Sequence, residues 1–474
     1  MEAKSGRETE HLEGMDLEAM DVMDPKVQED LLASYVPGTE EEKRLVRKID
    51  LYLMPTIWLM YLLSYIDRSN IGNAKIAGMQ DDLGFTSSQY SISLIVFFIT
   101  YVIFEIPSNM ILSRTRPSIF LPTIMGLWGI VTIGAGWMPN YATLVGIRVL
   151  VGALEAGFAP GILLLISSWY KKSEQSRRFA VYISAAILSG AFGGLLAGSI
   201  TEGLDGVHGI AGWRWLFIVE GAATTGWSII ASYFLLDFPA DCRKFNEAER
   251  KLAIQRILSE QNERRNTEDT PTPTHLEALK MSLGNWRVWG FVFGYMAIVG
   301  SSTLTYFYPT LVQGLGYTAH KAQYLTIPIY AAAFVVNGLT GYFMDKIPQY
   351  RGYVLTFWMT VSMLGAIITT VVYDFHARYG LLVIIASGLW AANGLSLSYA
   401  ASTFGDMPDE VRGISLAFVN AMGNLAQIYG AYLFPSSDAP KYILGFGVIS
   451  GLCFTGVVAY LLLQIFLRKY PQRL

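Results

Sequence analysis

From Leu51 to Leu467 the chain repeats one pattern, an apolar run of about 20 residues followed by a short polar break. Twelve such runs fall at about 50–77, 90–112, 118–138, 141–169, 179–202, 213–236, 287–311, 322–343, 353–373, 380–402, 413–434 and 442–467. Roughly 20 apolar residues make a helix long enough to cross the hydrocarbon core of a bilayer. The pattern therefore predicts an all-α polytopic membrane protein with twelve transmembrane helices. The alternative, a large soluble protein with many buried helices, fails on charge. Only 15% of the residues are charged, against about 25% in soluble domains.

The longest polar break, Pro239 to Asn285, reads helically through NEAERKLAIQRILSEQNERR and then breaks at TPTPT, Thr270–Thr274. It splits the spans six and six. The expected organisation is an acidic, disordered cytoplasmic tail at 1–48, a six-helix bundle at 49–238, a cytoplasmic linker at 239–285, a second six-helix bundle at 286–468 and a short tail at 469–474. Two repeated halves of this kind bind a small molecule between them near the membrane midplane. The glycine-rich GAFGGLLAG, Gly190–Gly198, permits close helix packing, either inside the protein or as a dimer face; a monomer is the expectation.

The net charge of -3 says little, but the distribution of cations sets the topology. Lys43, Arg44, Arg47 and Lys48 precede span one; Arg114 and Arg116 follow span two; Lys171, Lys172, Arg177 and Arg178 follow span four. Lys346 and Arg351 follow span eight, Arg412 follows span ten, and Arg468, Lys469 and Arg473 close the chain. The opposite loops hold single cations such as Lys75, Lys321, Arg378 and Lys441. The positive-inside rule then puts both termini in the cytoplasm. Residues 1–42 contain no apolar h-region, so no cleavable signal peptide is expected and span one directs insertion.

Chemistry narrows the function by exclusion. Cys242 and Cys453 cannot build a disulfide framework, and the chain has no P-loop, zinc-ligand spacing or GxSxG elbow. Neither ATP-driven pumping nor hydrolysis is indicated, so no enzyme activity, cofactor, metal or nucleic-acid partner is expected.

Charges inside the spans are few, and each costs at least ~2.5–3.5 kcal/mol at a helix centre. They are Asp67 and Arg68 in YIDRSN, Glu105 in FEIPSN, Arg148 and Glu155 in RVLVGALEAGFAP, and Glu220 in FIVEGA. Span one has only 16 apolar residues, Leu51 to Ile66, so its helix must continue through Asp67 and Arg68. Arg148 and Glu155 share one helix face two turns and about 10.5 Å apart, too far for a comfortable direct pair. At an effective dielectric near 20 their attraction is still roughly 1.6 kcal/mol. Gly152, Ala153, Ala156 and Gly157 leave room beside them for an incoming group. Two readings stay open: a static clamp between spans one and four, or an anion and proton site.

All five histidines fall in the tail or loops. Proton coupling therefore needs a membrane carboxylate, and Asp67 and Glu155 are the candidates. Arg68 and Arg148 are the candidate anion binders, since guanidinium fits a carboxylate bidentately. Glu105, before Pro107, reads as gating or structural. So do Gly341 and Asp345 in GYFMDK, a GxxxD-K end to span eight. The matching SNMILSRTRP after span two keeps the cations but not the Gly and Asp. The role of Glu220 stays open.

KIDLYLMP, YIDRSNIGNAK, FEIPSNMILSRTRPS, RVLVGALEAGFAP, SSWYKKSEQSRR and GWRWLFIVEG, in this order, resemble the anion:cation symporter branch of the major facilitator superfamily, most of all its fungal allantoate-permease-like group. The likeness is close over about residues 45–240 and looser beyond. It implies a major facilitator fold, alternating access and proton-coupled uptake of small organic anions, at the plasma membrane of a fungus. It also implies that Asp67, Arg68, Arg148 and Glu155 carry the proton and the substrate carboxylate. FGDMPDEVRG, Phe404–Gly413, departs from the basic segment common in fungal relatives and leaves the substrate class open. The second half is expected to supply neutral contacts, from Tyr306, Asn393, Ser398, Asn420 and Asn424; the asparagines could equally be interhelical hydrogen bonds. Export of an organic acid or secondary metabolite, or a nutrient receptor without flux, are the alternatives.

Overall fold

The computed structural model describes residues 35–112, 115–265, 275–405 and 407–469. The expected break at Thr270–Thr274 and most of the expected tail lie outside them. Span one is a helix from Glu40 to Ala74, capped by the Thr39 hydroxyl on the Glu42 amide. It continues through a π-helical turn, Lys75–Met79, to Asp82. The helix thus starts in the charged stretch before the membrane: Glu40–Lys48, assigned above to a disordered tail, is helical.

The remaining spans are Ser87–Leu112, Pro117–Ala135, Tyr141–Glu155 joined to Phe158–Trp169, Lys172–Gly203 and Gly212–Phe234 in the first half. In the second half they are Trp286–Ser302 continuing to Gly314, Ala319–Lys346, Arg351–Val371, Phe375–Thr403, Asp409–Gly430 and Ile443–Lys469. Ten of these helices are long and apolar enough to cross a membrane. Spans six and eleven fall short because polar and small residues interrupt them (Glu220, Thr224 and Ser228 in one, Asn420, Asn424 and Gln427 in the other). Both pack inside the bundles, span six against three and span eleven against seven. The helical reading of the linker agrees with a helix at Glu247–Arg265.

The halves touch mainly at the ends of the spans opposite the termini. The Ser91 hydroxyl donates to the Ala431 carbonyl at 2.7 Å, and Thr201 donates to Gln323 Oε1 at 2.8 Å. Gln323 Nε2 donates in turn to the Asn73 carbonyl at 3.2 Å. Gly190, Gly194 and Gly198 face Tyr330, Thr326 and Tyr324 of span eight. That glycine stripe therefore serves packing between the halves. A Cβ at Gly194 would lie 2.8 Å from the Gln323 carbonyl, so only glycine lets the two helices approach this closely. On the terminal face the closest ion pairs among the described residues lie within the first half and its linker. Arg178 grips Asp50 with two nitrogens, at 2.7 and 2.8 Å. The fully buried Arg256 joins Glu42 and Glu174, both at 2.7 Å.

Candidate functional site

Span one presents Asp67 and Arg68 in different directions, because consecutive helical residues point about 100° apart. Arg68 turns toward span four, where its Nε donates to Glu155 Oε1 at 2.7 Å. The Ser64 hydroxyl, one turn earlier on span one, donates to the same oxygen. Glu155 is 1% exposed and its Oε2 has no hydrogen-bond partner among the described residues. The carboxylate paired within span four's own face is thus held by Arg68 and not by Arg148. Seven residues of helix separate Arg148 from Glu155, and Arg68 fills the nearer position.

Asp67 points the other way, into the first half. Its Oδ2 accepts from Trp128 Nε1 at 3.1 Å and from Thr224 at 2.9 Å, while Oδ1 has no partner among the described residues. No described guanidinium pairs with Asp67, although Arg68 follows it in sequence. Glu220, one helical turn before Thr224, is 3% exposed and has Asp67 and Asn70 as polar neighbours. The two buried carboxyls therefore form a separate cluster behind the arginine site.

Arg68 and Arg148 line one cavity together with Leu94, Phe97, Phe98 and Tyr306. Both guanidinium groups lie against the Phe97 ring, 5.5 and 5.8 Å from its centroid. Each keeps an Nη2 without a hydrogen-bond partner among the described residues. The cavity is only about 10 Å³, the space of a single water. It is closed from the second half by Tyr306, whose carbonyl accepts from Tyr90 at 3.2 Å. Gly72 makes this closure possible, since a Cβ there would meet the Tyr306 carbonyl at 2.7 Å.

The other expected residues separate into two groups. The Tyr306 hydroxyl donates to Gln427 Oε1 at 3.3 Å, and Gln427 Nε2 donates to Asn424 Oδ1 at 3.3 Å. Asn420, Asn424 and Gln427 share one face of span eleven by their spacing, so Asn424 reaches the cavity through Gln427. Asn393 is half-buried on span ten and does not line this cavity, and Ser398 is exposed. Glu105 is half-buried lower on span two. Gly341 is exposed, and the exposed Asp345 stands 4.0 Å from Arg351. None of these three lines the cavity, though Glu105 has Arg68 as an electrostatic neighbour.

Three cations differ from their sequence reading. Lys75, expected in a loop, is buried in the π-helical turn with Nζ 4.4 Å from the Tyr90 ring centroid. Arg378 is buried in the first turn of span ten and donates to the Pro440 and Lys441 carbonyls. Arg287, the second residue of span seven, is also buried, so Arg68 and Arg148 are not the only arginines within the spans. Gln427 escaped the sequence reading, although its place three residues after Asn424 on one helical face was a usable signal.

Residues 57–431 match the Major Facilitator Superfamily. The chain is 34% identical over 439 residues to the MFS transporter prlL from a fungal species, covering 90% of this chain and 87% of that one. It is 30% identical over 439 residues to the high-affinity nicotinic acid transporter of Saccharomyces cerevisiae, covering 91% and 79%. In fold it is similar to a bacterial homolog of the human lysosomal transporter Spinster in its inward-facing, unoccupied conformation, with a TM-score of 0.70 at 15% identity over 89% of this chain and 98% of that one. The twelve-helix architecture and these relatives make the molecule a membrane transporter and not an enzyme. The chain belongs to the Major Facilitator Superfamily.

Proposed function

We propose that this transporter carries a small organic anion with a carboxylate group, coupled to protons, as the anion:cation symporter resemblance implies. The observation that carries the reading is the pair of arginines on one cavity, of which only Arg68 is ion-paired, to Glu155. Two guanidinium charges against one Glu155 leave a net positive site in a low-dielectric setting, which favours an anion. Nicotinic acid, named for the yeast relative, has the matching acid group.

Coupling follows from competition. A substrate carboxylate that engages Arg68 displaces Glu155, and an unpaired buried carboxylate is costly. A proton neutralises the released Glu155, so anion and proton load together. The Asp67–Glu220 cluster offers a second proton position. Tyr306 and span eleven choose among anions through neutral contacts.

With both termini in the cytoplasm, the contacts at the opposite ends of the spans close the outer face. The cavity of one water's volume must widen to admit substrate, which the rocking of the two halves supplies. The plasma membrane is the proposed location.

Uptake of a panel of radiolabelled carboxylates in a transport-deficient host, with and without a protonophore, tests the reading. Accumulation of at least one carboxylate that collapses with the proton gradient is expected. Efflux favoured over uptake across the whole panel would support the exporter instead.

A further inference from the structure

The second half holds a cavity that is separate from the arginine site. It measures about 300 Å³ and opens on the terminal face, at the lower end of the volumes that hold small ligands. Its walls come from spans seven, ten and twelve and the connection between spans eight and nine. Arg287 and Arg468 stand in the lining with Tyr399, Ser402, Thr403 and Gln464, and no acidic side chain among the described residues joins the lining.

The polar wall is built in advance. Gln464 Oε1 accepts from the Gly352 amide at 2.9 Å and from the Tyr399 hydroxyl at 3.0 Å. Gln464 Nε2 and Arg468 Nη2 both donate to the Gln349 carbonyl, at 3.3 and 3.4 Å. Arg287 is itself 8% exposed. A third guanidinium, Arg351, lies outside this lining, 4.0 Å from Asp345. The Tyr399 and Ser402 hydroxyls spend their protons inside the wall, on Gln464 and on the Tyr399 carbonyl, so the Arg287 and Arg468 guanidinium groups are what suits a tetrahedral oxyanion, which Arg recognises through several donors at once.

The setting decides the source of the anion. Arg287 opens span seven and Arg468 stands at the end of span twelve, where the helices leave the bilayer. Trp286 and Phe466 flank the two arginines, are 46% and 43% exposed, and meet edge to face with centroids 6.1 Å apart. Exposed aromatic rings at a span's end belong at the headgroup level, and basic pockets between helices on the cytoplasmic side take acidic headgroups.

We propose that this cavity binds the phosphate group of an acidic membrane lipid, with Arg287 and Arg468 as its charged contacts and the acyl chains lying along Trp286 and Phe466. The site is independent of the transported substrate.

The test is thermal unfolding of the full-length protein in neutral detergent with added phosphatidylinositol, phosphatidylcholine, glycerophosphate or inorganic phosphate at matched ionic strength. Phosphatidylinositol should raise the midpoint by several degrees, and the response should vanish in Arg287→Gln/Arg468→Gln. Phosphatidylcholine should have little effect. Because Arg287 is buried, Arg468→Gln alone, at an exposed position, provides the second check: it should need several-fold more phosphatidylinositol for the same shift. An equal shift in wild type and in both variants would overturn the site. An equal shift with glycerophosphate or inorganic phosphate would overturn the membrane lipid as its occupant.

Discussion

Arg68 and Glu155 meet at 2.7 Å across 87 residues of sequence, while Arg148, on Glu155's own span, stands on the same cavity with an Nη2 that has no partner among the described residues. Both arginines keep an unpartnered Nη2 among the described residues, but only Arg68 is ion-paired to the protein's own carboxylate. In the proposed cycle that difference separates the roles, with Arg148 as the first contact of the anion and Arg68 as the group that exchanges one carboxylate for another.

Arg148→Lys is the direct check on the first role. Lysine keeps the charge but loses the planar fork, and a hydrogen bond to a charged group is worth about 1.5–3 kcal/mol. Substrate affinity should fall roughly ten- to hundredfold while the variant still reaches the membrane. Equilibrium binding of a radiolabelled carboxylate to the purified protein measures it. An unchanged dissociation constant would make Arg148 part of a static clamp.

Gln427 joins Tyr306 to Asn424, so the second half's contribution runs through one glutamine. Replacing it with leucine should leave both arginines in place and let the Tyr306 hydroxyl turn. The expected outcome is a changed rank order among competing carboxylates in an uptake assay, with Asn420→Ala giving a smaller change in the same sense. Uniform loss for every competitor would remove selectivity from this chain of hydrogen bonds.

Much of this arrangement was legible before any coordinates. Sixteen apolar residues cannot span a bilayer, so the helix had to pass through Asp67 and Arg68, and it does. Helical spacing put Arg148 and Glu155 on one face, as observed. The partner of Glu155 was not legible, because helix rotation says that Asp67 and Arg68 diverge by about 100° but not which neighbour each one meets. Trp128, Thr224 and Glu155 come from three other spans, and only the packing of the bundle brings them to span one. Lys75 and Arg378 were read as loop cations because they fall at the margins of the apolar runs 50–77 and 380–402. A long side chain can instead extend along its helix and bury its stem.

The contact between spans five and eight offers a test of the conformational cycle. A valine at Gly194 would press on the Gln323 carbonyl, a backbone atom with little freedom to yield. The contacts opposite the termini should then fail to close, and the population should shift toward the conformer open on that face. Both native cysteines are buried, so a reporter thiol at Ser91→Cys can be followed against a low background. Alkylation of that thiol should be several-fold faster with Gly194→Val than without it. Equal rates in the two backgrounds would mean that this contact does not hold the face shut.

The proton is tested at Glu155. Glutamine there keeps the size and one acceptor oxygen, so Ser64 and Arg68 can still donate to it, yet it cannot bind or release a proton near neutral pH. Neutralising Glu155 leaves the Arg68 charge uncompensated, a loss of up to about 3–5 kcal/mol that the retained hydrogen bonds offset in part, so thermal unfolding of the purified variant accompanies the transport assay. Arg68 is then released from its ion pair and remains available to a substrate carboxylate in both conformers. Glu155→Gln should therefore bind substrate at least as tightly as wild type and exchange labelled for unlabelled substrate across proteoliposome membranes. It should lose accumulation driven by a pH gradient. Asp67→Asn, in the separate cluster with Glu220, is the comparison: if Glu155 is the sole carrier, this variant retains gradient-driven uptake. Wild-type accumulation in Glu155→Gln together with loss in Asp67→Asn would move the coupling proton from the arginine site to the cluster behind it.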